Sequence, residues 1–228
     1  MRLNADFSQA VIITPELRQS SPSPAPGVER FMLDRIGDEV ARATTIVRFA
    51  PDKFFPEHRH DGGEEYLVLE GVFSDQYGDF PAGTYVRNPV GTSHSPHTVS
   101  GCTIFVKLWQ FDPGDQTQLA IDTTKADWKP GSIPGQTVLD LHSFGSEVVK
   151  MERWQKGSKI TRQAPTGGME FLLLSGELQK SGETGDIYPA GTWFRFPEGT
   201  ELGFDCLEDT AFFCKSDHLS QRIEAPAV

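Results

Sequence analysis

Short apolar segments separated by turn residues run along most of the chain. Residues 65–71 and 103–111 are rich in Val, Leu, Ile and Phe, and residues 41–48 alternate small or apolar side chains with a second set that includes two arginines. A period of two is typical of β-strands, and no segment sustains the 3.6-residue period of an amphipathic helix. The 22 glycines and 16 prolines are spread along the sequence, where they favour turns. The pattern predicts an all-β protein.

The second half of the chain repeats part of the first. Residues 65–71 (EYLVLEG) reappear as 170–176 (EFLLLSG), and residues 81–92 (PAGTYVRNPVGT) reappear as 189–200 (PAGTWFRFPEGT), with 8 of 12 positions identical in the second pair. Residues 112–135, between the copies, are rich in Asp, Thr, Gly and Pro, as is typical of a connecting segment. We therefore predict two related domains, at residues 1–118 and 119–228.

The first copy contains residue types that bind metals, at a spacing that lets them converge. His58, His60 and Glu64 form the pattern HxHxxxE, and His94 ends the pattern PxGxxH at residues 89–94. Residues two apart on a strand face the same side, and the two glycines at 62–63 allow a turn that returns Glu64 towards the histidines. Three imidazoles and a carboxylate suit a divalent transition metal. The sequence therefore predicts a metal site made of His58, His60, Glu64 and His94.

The repeat separates the scaffold from the site. Its register places Gln163, Pro165, Met169 and Leu202 at the positions of the four ligands, so we predict that the second domain binds no metal. Three charged residues of the first copy recur in the second, which favours a structural role for them: Glu65, Arg87 and Lys107 match Glu170, Arg195 and Lys215.

Tyr66 follows Glu64 by two positions, so it should share the face of the strand on which that ligand lies. A role as a hydrogen-bond donor near the metal is one interpretation. Phe171 replaces Tyr66 in the repeat, and this favours ordinary core packing as its role. His97, three residues after His94, is either a residue that contacts a ligand or a surface histidine.

The ligand set does not define the metal. A closed tetrahedral arrangement suits structural zinc. The same residues with open positions suit Fe²⁺, Mn²⁺ or Ni²⁺. No Ser-His-Asp or Cys-His arrangement is present that would predict a catalytic residue, so the catalytic residues are unknown at this point.

The motifs resemble those of the cupin superfamily, and wider matches are similar to the cupin domain of ChrR-type anti-sigma factors. These matches include residues 62–71 (GGEEYLVLEG), residues 87–89 (RNP), and upstream segments at 27–30 and 33–35. The resemblance implies a bicupin, with two double-stranded β-helix (jelly-roll) barrels, and it implies zinc as the metal. We expect the N-terminal domain to carry the metal and the C-terminal domain to be a degenerate copy.

The resemblance implies a regulatory or sensor protein related to the anti-sigma factor ChrR of the oxidative-stress response, with a regulatory protein as its partner. Sigma-binding members carry a separate helical domain with its own His and Cys zinc ligands. Residues 1–27 contain no such cysteines, so we expect a sensor without that domain. Two alternatives stay open: a metal-dependent dioxygenase that acts on a small oxygenated organic substrate, and a binding module that holds a small molecule in the N-terminal barrel without chemistry.

Charge, hydropathy and cysteine content limit the binding partners and the cellular compartment that we expect. The net charge of −11 disfavours direct binding to nucleic acid or to anionic membranes. No apolar run reaches the length of a membrane-spanning helix, and the N-terminus lacks a signal-peptide core. Cys102, Cys206 and Cys214 are predicted to be buried free thiols, as in a cytoplasmic protein. We expect a cytoplasmic monomer or homodimer.

Overall fold

The computed structural model describes residues 1–182, 185–220, 224 and 226. Strands account for 55% of the structure and helix for 1%, which confirms the all-β prediction. Within the described residues, the helical part is a single 3-10 turn at Pro15–Leu17.

The strands, numbered in chain order, are β1 (Arg2–Leu3), β2 (Val11–Ile13), β3 (Ser20–Pro22), β4 (Val28–Gly37), β5 (Ala41–Phe49), β6 (Lys53–Phe54), β7 (His58–Arg59), β8 (Glu64–Asp75), β9 (Gly78–Pro81), β10 (Thr84–Asn88), β11 (Ser93–His94), β12 (His97–Thr98), β13 (Cys102–Leu108), β14 (Leu119–Asp122), β15 (Lys129–Pro130), β16 (Gln136–Phe144), β17 (Glu147–Trp154), β18 (Lys159–Gln163), β19 (Met169–Ser175), β20 (Glu177–Lys180), β21 (Ile187–Pro189), β22 (Trp193–Phe196), β23 (Glu201–Cys206) and β24 (Thr210–Ser216).

The described residues form two compact units. The first unit contains Met1–Ala5 and Gln19–Ala126, and the second contains Asp6–Arg18 and residues 127–220. In the first unit the main sheet has the strand order β1-β4-β5-β13-β8-β10-β14. A smaller set of strands completes this unit: β12 pairs with β6 and β8, β9 pairs with β8, and β7 pairs with β11.

The interior of the first unit is apolar because alternate residues of its long strands face inwards. Tyr66 and Val68 of β8 meet Ile104 and Val106 of β13, and all four are at most 4% exposed. Residues of opposite parity form a buried polar network on the other face of the sheet.

In that network, Arg87 lies 2.9 Å from the Glu65 carboxylate and 2.7 Å from Asp115. Lys107 donates to the hydroxyl of Thr44 over 2.9 Å. These charges lie on the face of the main sheet opposite to Glu64, which agrees with the structural role predicted for Glu65, Arg87 and Lys107.

The second unit has the same plan. Its main sheet runs β15-β16-β17-β24-β19-β22-β2, and a second sheet runs β18-β23-β20-β21. Its core is aromatic: Phe171 and Phe194 stack with ring centroids 4.4 Å apart, and Phe204 and Phe212 pack around Phe171.

One edge strand of each main sheet comes from outside the copy of the repeat that forms that sheet. The first sheet ends at β14, which precedes the second copy, and the second sheet ends at β2, which precedes the first copy. In the first unit, β14 pairs with β10, and Leu119 lies opposite Arg87. In the second unit, β2 pairs with β22, and Val11 lies opposite Arg195. The two pairings are equivalent because both members are displaced by the same 108 residues.

Strand pairing corrects two of the four counterparts inferred from the repeat. His94 pairs with His58 on β7, whereas its counterpart Leu202 pairs with Arg162 on β18. The backbone N–H of His60 donates to Thr92, and in the second unit the equivalent bond runs from Ala164 to Thr200. The prediction of Gln163 and Pro165 was therefore wrong by one residue.

The physical reason for this shift is an insertion in a loop. Residues 165–168 contain one more residue than the equivalent loop at residues 61–63. The aligned segments begin after that loop, so the extra residue leaves no trace in them. The assignment of Met169 as the counterpart of Glu64 agrees with the pairing of β19 with β24. The assignment of Leu202 as the counterpart of His94 agrees with the pairing of β23 with β18.

Candidate metal centre

The four predicted ligands lie together in the first unit. His58, His60, Glu64 and His94 each offer one ligand atom, and these atoms all lie within 4.8 Å of one another. The Nε2 atoms of His60 and His94 are each 3.4 Å from the same Glu64 oxygen. Two ligands bound about 2.1 Å from one ion at angles of about 90–110° lie roughly 3.0–3.4 Å apart, so the spacing fits one metal ion.

Strand pairing and loop packing together create this convergence. His58 and His94 are opposite each other on the antiparallel pair β7–β11, which brings their side chains close on one face. The loop before Glu64 packs tightly under two aromatic rings. A Cβ on Gly62 would collide with the ring of Trp109, and a Cβ on Gly63 with that of Phe111. Glycine is required here because any side chain would push the loop, and Glu64 with it, away from the histidines.

Each histidine is held through Nδ1, which leaves Nε2 for the centre. His58 Nδ1 donates to the carbonyl of Pro56 over 3.2 Å, and His94 Nδ1 donates to Asp75 over 3.1 Å. A carbonyl and a carboxylate can only accept, so both rings carry their proton on Nδ1.

The tautomer of His60 follows from the same reasoning. The Thr92 hydroxyl donates to the carbonyl of Pro89 over 2.8 Å, so its oxygen accepts from His60 Nδ1, 2.9 Å away. All three rings therefore direct an Nε2 lone pair away from their supporting partner. Contacts of this kind fix the orientation of metal-binding histidines.

Two of these lone pairs have no hydrogen-bond partner in the described part of the chain. The Nε2 atoms of His60 and His94 are buried and make no hydrogen bond to any residue that the structure describes. Burial lowers the pKa of His60 to about 4, with a further contribution from His58, and burial also lowers the pKa of His94. Both rings are neutral at physiological pH, which is the form that binds metals. Two buried acceptors beside a carboxylate fit a cation.

The fourth contact is to the carboxylate ligand itself. The amide of Asn88 donates to Glu64 Oε2 over 3.3 Å, from the adjacent strand β10. Sequence reasoning missed Asp75, Thr92 and Asn88. Thr92 lies within the PxGxxH segment, where a hydroxyl two residues before His94 was the available signal. Asp75 and Asn88 reach the site only through strand pairing.

Other residues singled out in the sequence lie elsewhere. His97 belongs to β12, where it pairs with Phe54 and Ser74, and it is not part of the four-residue cluster. Among the described residues of the second unit, no comparable cluster of metal-binding side chains occurs. The three cysteines are buried free thiols, as predicted.

The second unit has an ion pair where the first has the candidate ligand His58. Arg162, the counterpart of His58, makes two hydrogen bonds to the Glu152 carboxylate, of 2.9 and 2.6 Å. The indole of Trp154 also donates to Glu152, which is fully buried. The other ligand positions hold Ala164, Met169 and Leu202, which belong to the apolar core.

The sequence profile of the ChrR cupin-like domain family matches the chain twice, at residues 8–112 and 116–219. The chain belongs to this family. Together with the two units, the double match confirms the predicted bicupin, in which each half is a cupin jelly roll. No curated protein matches the sequence.

Solved structures with the same fold are distant in sequence. A putative dioxygenase from Nostoc punctiforme is 14% identical, with a TM-score of 0.78, over 100% of this chain and 91% of that one. A bacterial pirin from Escherichia coli in complex with nickel(II) is 12% identical, with a TM-score of 0.67, over 96% and 100%. A variant of oxalate decarboxylase from Bacillus subtilis is 12% identical, with a TM-score of 0.63, over 90% and 76%. At these identities the similarity establishes the fold alone.

The described part of the chain has no helix that is long and apolar enough to span a membrane.

Proposed function

We propose that this ChrR cupin-like protein binds one divalent transition metal through His58, His60, Glu64 and His94, and holds a small oxygenated organic molecule at the positions left open. The proposal rests on the buried Nε2 atoms of His60 and His94, which lie beside the Glu64 carboxylate and make no hydrogen bond to any residue that the structure describes. Leaving such groups unsatisfied costs about 1–3 kcal/mol each, and a cation removes that cost.

The reaction that we favour is oxygenation of the bound molecule with Fe²⁺ as the resident metal. A six-coordinate ion held by these four residues would have two further positions, which oxygen donors of a small molecule would occupy. The metal would supply activation of oxygen and polarisation of the bound oxygens. His58 is exposed while the other three ligands are buried, so the cluster is accessible from one side. The fold is similar to that of the putative dioxygenase from Nostoc punctiforme.

A second candidate is a zinc-dependent sensor that signals to a regulatory protein. The double match to the ChrR cupin-like family favours it, and a set of three His and one Glu is a complete tetrahedral set for zinc. In this case the metal stabilises the first unit and the protein performs no chemistry.

Elemental analysis of protein expressed without added metal separates the candidates. We expect one equivalent of metal per chain, because the ligand positions in the second unit hold Arg162, Ala164, Met169 and Leu202. Iron, together with oxygen consumption when α-hydroxy acids or α-hydroxy ketones are added, supports the oxygenase. Zinc, with no oxygen consumption after reconstitution with Fe²⁺, supports the sensor. Metal-free protein that gains no metal on incubation with Fe²⁺ or Zn²⁺ contradicts both.

A further inference from the structure

Tyr66 carries a buried hydroxyl that has no partner among the described residues. The residue is 1% exposed, and its hydroxyl makes no hydrogen bond within the described part of the chain. Burying a hydroxyl without a partner is costly, so a tyrosine used only for packing would be better replaced by phenylalanine. The nearby Tyr85 follows the usual rule, because its buried hydroxyl donates to Glu65 over 2.7 Å.

The position of Tyr66 connects it to the candidate metal centre. It lies two residues after Glu64 on β8, and therefore on the same face of the strand. Its ring packs against Phe73, with centroids 4.9 Å apart, and Phe73 packs against His94 at 5.9 Å. The phenol is thus a hydrogen-bond donor in the interior, on the side of the strand that carries the ligand Glu64.

The second unit supplies an internal comparison. Phe171 occupies the position of Tyr66, and its ring stacks on Phe194 without any hydroxyl. The barrel that lacks the ligand cluster also lacks this hydroxyl. The scaffold therefore does not need the hydroxyl, whereas residues that the scaffold needs, such as Glu65 and Arg87, recur in both halves.

We propose that the Tyr66 hydroxyl donates a hydrogen bond to an oxygen of the small molecule held at the metal centre. This inference rests on the proposed function, and it adds that the bound molecule presents an acceptor oxygen to the barrel interior. Tyr66 then selects oxygenated molecules over apolar molecules of the same shape, because only the former satisfy its hydroxyl.

The binding test uses the full chain loaded with Co²⁺, whose visible spectrum reports a change in coordination, and glycolate as a probe with two neighbouring oxygen donors. Tyr66→Phe should keep one equivalent of metal and bind glycolate about tenfold more weakly than wild type, as expected for one lost hydrogen bond. Tyr85→Phe is the matched control, and its glycolate affinity should stay within about twofold of wild type.

Thermal unfolding of the metal-free proteins gives a second measurement. Tyr85→Phe removes a hydroxyl with a partner and should lower the melting temperature by a few degrees, whereas Tyr66→Phe should not lower it. Equal glycolate affinity for Tyr66→Phe and wild type overturns the inference and leaves the proposed function intact. A wild-type cobalt spectrum that does not respond to glycolate overturns the proposed oxygen ligand, and the inference with it.

Discussion

Asp75 links the turn between β8 and β9 to His94, 19 residues further along the chain. One oxygen of its carboxylate lies 3.1 Å from His94 Nδ1, and the other accepts the backbone N–H of Tyr77 over 2.7 Å. The turn therefore fixes the carboxylate, and the carboxylate fixes the tautomer and orientation of the imidazole. Supports of this kind make a histidine a better metal ligand.

Replacing Asp75 by Asn should weaken metal binding about 10–100-fold, because an amide neither holds the imidazole by charge nor enforces a proton on Nδ1. Competition with a chelator measures the affinity. Asp79→Asn is the matched control, since Asp79 lies in the same hairpin but accepts from Ser74 over 2.6 Å. Equal affinities of the two variants would show that Asp75 does not position the ligand.

His94→Ala should abolish binding of the metal, because it removes one of the four converging ligands and opens a space in their centre. His97→Ala should retain one equivalent, because His97 lies outside the cluster. Metal content after dialysis against a weak chelator checks both variants. Full occupancy of His94→Ala would refute the four-ligand assignment.

The Arg162–Glu152 pair should stabilise the second unit only as a pair. Arg162→Met leaves the Glu152 carboxylate buried with Lys150 as its remaining charged partner, at 2.9 Å, and should cost about 3–5 kcal/mol of unfolding free energy. Adding Glu152→Gln removes the buried charge but keeps an acceptor for Trp154, so the double variant should recover part of the loss. Denaturation followed by tryptophan fluorescence reports this unit. Three of the four tryptophans lie in it: Trp128, Trp154 and Trp193. A double variant less stable than Arg162→Met would contradict the prediction.

The same pair gives the second unit a defined acid sensitivity. Burial alone would raise the pKa of Glu152, but Arg162 and Lys150 hold it at about 2, below its ordinary value of 4.5. A lowered folded-state pKa means that the stabilisation is complete above pH 4.5 and is lost as the pH falls towards 2. The loss should amount to a few kcal/mol. Urea denaturation between pH 6 and pH 2.5 measures it, and the double variant should show a shallower dependence on pH in this range.

The sequence predicted that His58, His60, Glu64 and His94 converge, because all four lie in two short segments whose local geometry follows from strand parity and turn residues. His58 and His60 follow from strand parity, Glu64 from a glycine turn, and His94 from a Pro-Gly turn. The residues that hydrogen-bond to the ligands were not predictable in this way. Asp75 and Asn88 reach the cluster only through pairing between strands that are distant in sequence. The predicted counterparts of His58 and His60 were one residue too far along the chain, because the second copy has an extra residue in the loop at 165–168, which lies outside the matched segments.

The strands β2 and β14 each pair with the other copy of the repeat from the one they precede, and this limits where the chain can be cut into independent fragments. A fragment that ends at residue 118 lacks β14, so β10 would expose unpaired backbone groups along the edge of the first unit's sheet. A fragment that starts at residue 119 lacks β2 and exposes β22 in the same way. Open edges of this kind promote aggregation. The shortest continuous segment that keeps both outermost strand pairs runs from residue 11 to residue 196, and it spans both copies of the repeat.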